Sequence, residues 1–132
     1  MQGESDATGA WAPETGTIVL DNLGCRYRDD LPRVLCNVSA SLTSGSNVGV
    51  VGRTGSGKSS LVLALARLNC VDAGRVLIDG VDVASLPLGA LRRALVLVPQ
   101  EPHLFRGTLR FNLDPWQEHS DEALQMTLKM LG

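Results

Sequence analysis

The chain has 132 residues, 44% of them hydrophobic, and a formal net charge of -2. That length leaves room for one domain with a real core, and the Lys and Arg residues are scattered rather than gathered in a patch, which argues against a nucleic-acid groove. The longest uninterrupted apolar run, Leu61 to Ala66, falls far short of the roughly 18 residues needed to cross a bilayer.

In chain order, Met1 to Thr15 has neither the basic start nor the apolar centre of a signal peptide, and its Gly, Ser, Asp and Pro content reads as a linker. Thr17 to Arg28 and Val34 to Leu42 read as strands around the turn Asp29-Asp30-Leu31-Pro32. The second strand alternates as Val34, Cys36, Val38, Ala40 and Leu42. Thr43 to Ser46 turns the chain into an apolar stretch, Val48 to Val51, expected to be a buried strand. A helix from about Ser59 to Asn69 is apolar nearly all round, which predicts burial against a sheet. Arg75 to Ile78, the turn pair Asp79-Gly80 and Val81 to Val83 form a hairpin. A short helix around Leu88 to Arg93 leads to Ala94 to Val98, a second run of buried-strand type that stops at Pro99. After a proline-containing loop, Ser120 caps a last helix whose Asp121 and Glu122 suit the dipole and whose Leu124, Leu128 and Leu131 form one stripe, read as core or partner contact. The cysteines, Cys25, Cys36 and Cys70, have no C-x-x-C spacing and read as reduced core residues of a soluble intracellular protein.

The most informative stretch is Gly52-Arg53-Thr54-Gly55-Ser56-Gly57-Lys58-Ser59, which fits G-x-x-x-x-G-K-[ST] between an expected strand and an expected helix. A triphosphate concentrates negative charge, and a loop short of β-carbons lets successive N–H groups close around it at a helix N-terminus. Gly52, Gly55 and Gly57 supply that freedom. Lys58 would reach the β- and γ-phosphates, the Ser59 hydroxyl would coordinate Mg²⁺, and Ser60 would add an N–H. Gln100, directly after the second apolar run, can offer its amide oxygen to Mg²⁺ or to an attacking water.

With Gln100 in that place, the chain resembles the nucleotide-binding domain of an ABC transporter, in which Gln100 matches the Q-loop glutamine and Tyr27 the A-loop aromatic that stacks on adenine. A strand residue facing the core is the other reading of Tyr27. The stretch from Gly52 to Leu61, the hairpin Ile78 to Asp82, Leu91-Arg92, and Leu104 to Pro115 resemble the second nucleotide-binding domain of the C subfamily, the multidrug resistance-associated proteins. Trp11, Pro13 and Gly16 extend the likeness, which runs from about Trp11 to Gly132.

The resemblance implies an α/β fold of the P-loop NTPase, ABC ATPase type: a mixed sheet with an N-terminal antiparallel β segment, truncated at its C-terminus. Residues 1–15 would be a linker and residues 16–132 the first part of the domain. It implies ATP and Mg²⁺ as cofactors. Tyr27, Gly52, Arg53, Thr54, Gly55, Ser56, Gly57, Lys58, Ser59 and Ser60 would bind nucleotide, and Ser59 and Gln100 would meet the metal. Transmembrane domains and a second, head-to-tail nucleotide-binding domain would be partners, with this domain on the cytosolic face of a membrane. In that family the signature motif and the Walker B Asp and Glu lie further along than Gly132. Val76 to Asp79 and Ile18 to Asp21 imitate a Walker B strand, but no Glu follows either. The expected function is therefore ATP binding within an exporter's ATPase, with little hydrolysis by this chain alone. A truncated or degenerate nucleotide-binding module is the alternative. The buried-type runs would leave apolar surface exposed. His103 and His119 read as surface residues, and Trp116 as a packing residue.

Overall fold

A computed structural model describes residues 11–69, 71–101 and 103–132. The chain divides into two compact units, Met1–Leu97 and Val98–Gly132. The first is built on a four-stranded antiparallel sheet in the order β2-β1-β3-β4, comprising β1 (Ile18–Cys25), β2 (Leu35–Leu42), β3 (Val71–Ile78) and β4 (Val81–Asp82). Helix α1 (Lys58–Leu65) packs on it, and a 3-10 turn (Val83–Ser85) and helix α2 (Leu88–Ala94) follow β4. One apolar cluster joins Leu20, Leu23, Cys25, Leu35, Ala64, Val76, Ile78, Val83, Leu86 and Leu91.

The strands are not regular, and their irregularity follows from the sequence. Asn22 in β1 and Gly74 in β3 both have positive φ, 49° and 68°, where the β1–β3 register shifts. A Cβ on Gly74 would lie 2.3 Å from the carbonyl oxygens of both Asp21 and Asn22, so this bulge requires glycine. In β2, Asn37 has φ 52° and breaks the alternation, so Leu35 is buried while Cys36 and Ala40 are exposed. Cys36 is therefore not a core residue; Cys25 is buried, and Cys70 lies outside the described residues. A slip of one position moves side chains to the opposite face, which sequence alternation alone does not reveal.

The β3–β4 hairpin turns at Asp79-Gly80, with φ 49° and 79°, the pair of left-handed residues that a type I′ turn needs. Asp79 does more than turn the chain. Its carboxylate accepts the backbone N–H groups of Glu14, Thr15, Gly16 and Thr17 at 2.8 to 3.1 Å, and the Thr15 hydroxyl. Trp11 packs partly buried against the core just before this segment.

Two expected strands do not form. No ladder includes residues 48–51, where Val48, Val50 and Val51 are exposed, nor residues 95–98, where Val96 and Val98 are exposed at 92% and 84%. Among the described residues the sheet is thus wholly antiparallel rather than mixed. A parallel strand draws its backbone hydrogen bonds from a neighbouring strand, and no described segment lies in register beside either stretch.

Helix α1 ends before the Asn69 expected from the sequence. Arg67, at φ 51°, ends it in a Schellman arrangement, with Arg67 N–H on the Ala64 carbonyl at 3.1 Å and Leu68 N–H on the Leu63 carbonyl at 2.9 Å. The Arg67 guanidinium then donates to the carbonyls of Val83 and Leu86. Only Ser60 and Ala64 within the helix are buried and Val62 is exposed, so the all-round burial expected from its composition is not reached.

The second unit contains α3 (Leu109–Leu113), not foreseen in the sequence, and α4 (Asp121–Leu131), capped by Ser120 as expected. Thr108 caps α3 by accepting the Phe111 N–H at 3.1 Å. Asp114, 4% exposed, accepts the N–H groups of Glu118 and His119 at 3.0 and 2.9 Å. Arg110 reaches Asp121 and the His119 carbonyl, linking the two helices. Asn112 grips Phe105 at both its N–H and its carbonyl, 2.7 and 3.0 Å. Trp116 is 81% exposed, which overturns its reading as a packing residue; the polar hub at Asp114 holds the turn instead. His103 and His119 are exposed. No residue of α4 is buried; of its leucine stripe, Leu128 and Leu131 are exposed and Leu124 is half-buried.

Candidate phosphate-binding site

The loop from Gly52 to Gly57 folds back on itself before entering α1. Ser56 N–H bonds the Arg53 carbonyl at 3.1 Å, and Gly55 and Gly57 take φ 81° and 93°. Positions 52–59 thus form a turn and a helix start, neither a strand nor a continuous helix. Gly57 is needed twice over: its φ disfavours any side chain, and a Cβ there would lie 2.9 Å from Leu35 Cδ2 and 3.0 Å from the Val34 carbonyl. It is also the residue preceding α1, and no side chain caps that helix. The first amides of α1 are left without a side-chain acceptor at the end where the dipole favours negative charge.

Lys58 lies across the loop. Its ammonium donates to the carbonyls of Gly52 and Arg53 at 2.9 and 2.8 Å, which uses two of its three protons. Beside it a cavity of about 310 Å³ is lined by Tyr27, Val34, Gly55, Gly57, Lys58, Ser59 and Ser60. Lys58 is the one charged residue in that lining, so the cavity carries positive charge at a helix start and suits an anion.

Six residues expected from the sequence meet at this cavity: Tyr27, Gly55, Gly57, Lys58, Ser59 and Ser60. Gly52 and Arg53 take part through the carbonyls that hold Lys58, and Ser56 through the turn; Ser56 Oγ also sits where a Cβ on Gly52 would come within 2.5 Å. Thr54 is an exposed residue of the same turn. Gln100 belongs to the second unit, exposed at a bend after the extended stretch.

Tyr27 follows β1 in a bend and is 52% exposed, which excludes a core role. Its loop is anchored by Arg26 and Arg33, both bonded to Asp72, and by Val34 N–H on the Cys25 carbonyl at 2.8 Å. Burial pushes the Asp72 carboxyl up, but the Arg33 and Arg26 guanidiniums outweigh it and hold the group below the usual range. Val34 as a wall of the cavity, and Asp72 as the anchor of the tyrosine loop, were not anticipated. Nothing in the spacing of these residues signals their meeting, since β3 brings Asp72 to the loop from far along the chain.

For Mg²⁺, the donor set is partial. The Ser59 hydroxyl lies in the lining, but no carboxylate does, and the described residues contain no cluster of three or more His, Cys, Asp or Glu side chains able to hold a metal. The residues fit an ion carried in on phosphate oxygens and water, with Ser59 as a single protein ligand.

A family profile described as "ABC transporter" matches residues 35–132 of this sequence. The chain belongs to the ABC transporter family. The curated proteins it is similar to include several named as ABC transporter C family members. The ABC-type transporter cicA of Emericella nidulans is 49% identical over 120 residues, 91% of this chain and 8% of that protein. The oligomycin resistance ATP-dependent permease YOR1 of Saccharomyces cerevisiae is 49% identical over 112 residues, 85% of this chain and 8% of that protein. ABC transporter C family member 5 of Arabidopsis thaliana matches at 49% over 85% of this chain and 7% of its own length. The chain thus spans about 8% of the length of the curated relatives it matches. An ABC transporter domain has an α/β P-loop NTPase fold, and the Gly52–Ser59 turn lies within the matched residues. No helix among the described residues is long and apolar enough to cross a membrane.

Proposed function

We propose that this chain binds ATP as the first part of an ABC transporter nucleotide-binding domain, within an ATPase that drives export of small molecules or conjugates. The observation that carries the reading is the positively charged cavity at the start of α1, where Lys58 lies across a glycine turn beside the Ser59 hydroxyl. Residues 16–132 act as that domain part and residues 1–15 as its linker.

The roles follow from chemistry. Amides around Gly55, Gly57 and Lys58 receive the phosphates, and Lys58 exchanges its carbonyl partners for phosphate oxygens as a compact charge. Tyr27 offers a ring at the cavity rim for the adenine. Mg²⁺, when bound, neutralises charge on the β- and γ-phosphates. The Ser59 hydroxyl would give it one oxygen.

No carboxylate lines the cavity, so nothing there takes a proton from water, and the chain alone binds nucleotide without turning it over. Hydrolysis belongs to the assembled transporter, with transmembrane domains and a second nucleotide-binding domain as partners on the cytosolic side.

A fluorescent ATP analogue titrated into the chain with and without Mg²⁺ tests this. Saturable binding that is strengthened by Mg²⁺ and weakened by Lys58→Ala and Tyr27→Ala is expected. Binding indifferent to Lys58→Ala contradicts it.

A further inference from the structure

Ser60 is 3% exposed, yet it is a polar residue on a helix in contact with the core. Both its polar oxygens are engaged. The Asn69 side-chain amide donates to its carbonyl at 2.9 Å, and its hydroxyl meets the Tyr27 hydroxyl at 2.7 Å, with either able to donate. The second contact joins the tyrosine side chain to the start of α1. Tyr27 lies in a bend outside any strand, with a ring about half in solvent. Asp72 fixes the backbone around it through Arg26 and Arg33, but neither guanidinium restrains the ring. The phenol oxygen is tied to the first turn of α1, one residue beyond Ser59 and two beyond Lys58.

We propose that Ser60 is a positioning residue for Tyr27: its buried hydroxyl holds the phenol at the rim of the phosphate loop, so that the aromatic face stands ready for the base. This rests on the ATP reading above. Ser60 belongs to the phosphate end of the site through its backbone N–H, while its side-chain hydroxyl is bonded to the Tyr27 phenol. Its hydroxyl therefore serves the base end, by removing the freedom of a ring that would otherwise have to be ordered when nucleotide binds. A tyrosine here is distinct from a phenylalanine for the same reason, although the two stack alike.

The test is calorimetric titration of the whole chain and its variants with Mg-ATP and, separately, with inorganic tripolyphosphate, which has no base. Tyr27→Phe and Ser60→Ala should each weaken ATP about two- to tenfold, the range of one net hydrogen bond. Tyr27→Phe should leave tripolyphosphate unchanged. The double variant should be no weaker than either single one, and Ser60→Thr, which keeps a hydroxyl, should restore ATP affinity. If Ser60→Ala does not fold, Tyr27→Phe decides alone, because it removes one oxygen from a half-exposed ring. ATP affinity unchanged in Tyr27→Phe, equal losses for ATP and tripolyphosphate in Tyr27→Phe, or additive effects in the double variant would overturn the proposal. Tripolyphosphate binding unaffected by Lys58→Ala would instead overturn the phosphate site beneath it.

Discussion

Replacing Gly57 by alanine adds a single methyl group, and the structure says what that methyl meets. The residue sits at φ 93° and ψ 7°, so any side chain carries a backbone penalty of about 1–3 kcal/mol. The new Cβ lies 2.9 Å from Leu35 Cδ2, in a residue only 5% exposed, and 3.0 Å from a backbone oxygen of Val34. Relief requires a shift in the core or in the strand, typically about 1–3 kcal/mol more. Together these predict a loss of roughly 2–6 kcal/mol, a large part of the stability of a small domain. Because Val34 and Gly57 both line the cavity, nucleotide affinity should fall as well. Urea unfolding followed by far-ultraviolet circular dichroism, with ATP titration in the native baseline, measures both. Gly89→Ala is the control: it lies in α2 with nothing within 4 Å of its Cβ and no unusual φ, so it should be neutral or raise stability by up to about 1 kcal/mol. A Gly57→Ala chain with the parent's midpoint and ATP affinity would refute the reasoning.

Asp79, held well below the usual carboxylate range first by the Thr15 hydroxyl and then by backbone amides, contributes stability that is complete above the unfolded carboxyl's range. That contribution is lost as pH falls through the lower folded value, so Asp79→Asn should flatten the acid limb of a stability profile below about pH 4; an unchanged limb would contradict the role given to Asp79. Iodoacetamide should label Cys36 in the native chain far faster than the buried Cys25, read peptide by peptide by mass spectrometry, with equal rates contradicting the bulge at Asn37. Asn112→Ala should remove hydrogen-exchange protection from the Phe105 amide, now bonded to the Asn112 side chain, without unfolding α4; retained protection would count against that clamp.

Local signals in the sequence carried much of this. The Asp79-Gly80 turn, the Ser120 cap and the glycine pattern before Lys58 each depend on residues close together in the chain, and each forms as expected. Thr108 before Leu109 is a cap of the same kind and would have revealed α3. Where the chemistry depends on distant partners the sequence was mute: Asp79 gathering the amides of residues 14–17, Asp72 anchoring the tyrosine loop, and Ser60 meeting Tyr27 are all long-range. The expected phase of β2 holds at Val38 and Leu42 but not at Cys36, because the left-handed Asn37 reverses the alternation there. The runs at 48–51 and 94–98 were read as strands from composition, but a strand exists only beside a partner, and the described residues offer none.

The central claim is that the turn from Gly52 to Ser59, with Lys58 lying across it, is built to hold a chain of phosphates. The direct measurement is equilibrium binding of Mg-ATP to the parent chain and to Lys58→Ala, with folding of both checked by circular dichroism. Loss of a charge-assisted contact of about 1.5–3 kcal/mol predicts affinity reduced roughly 10- to 150-fold, with the fold intact. Equal affinity in the two proteins, or no saturable binding to the parent, would contradict the account.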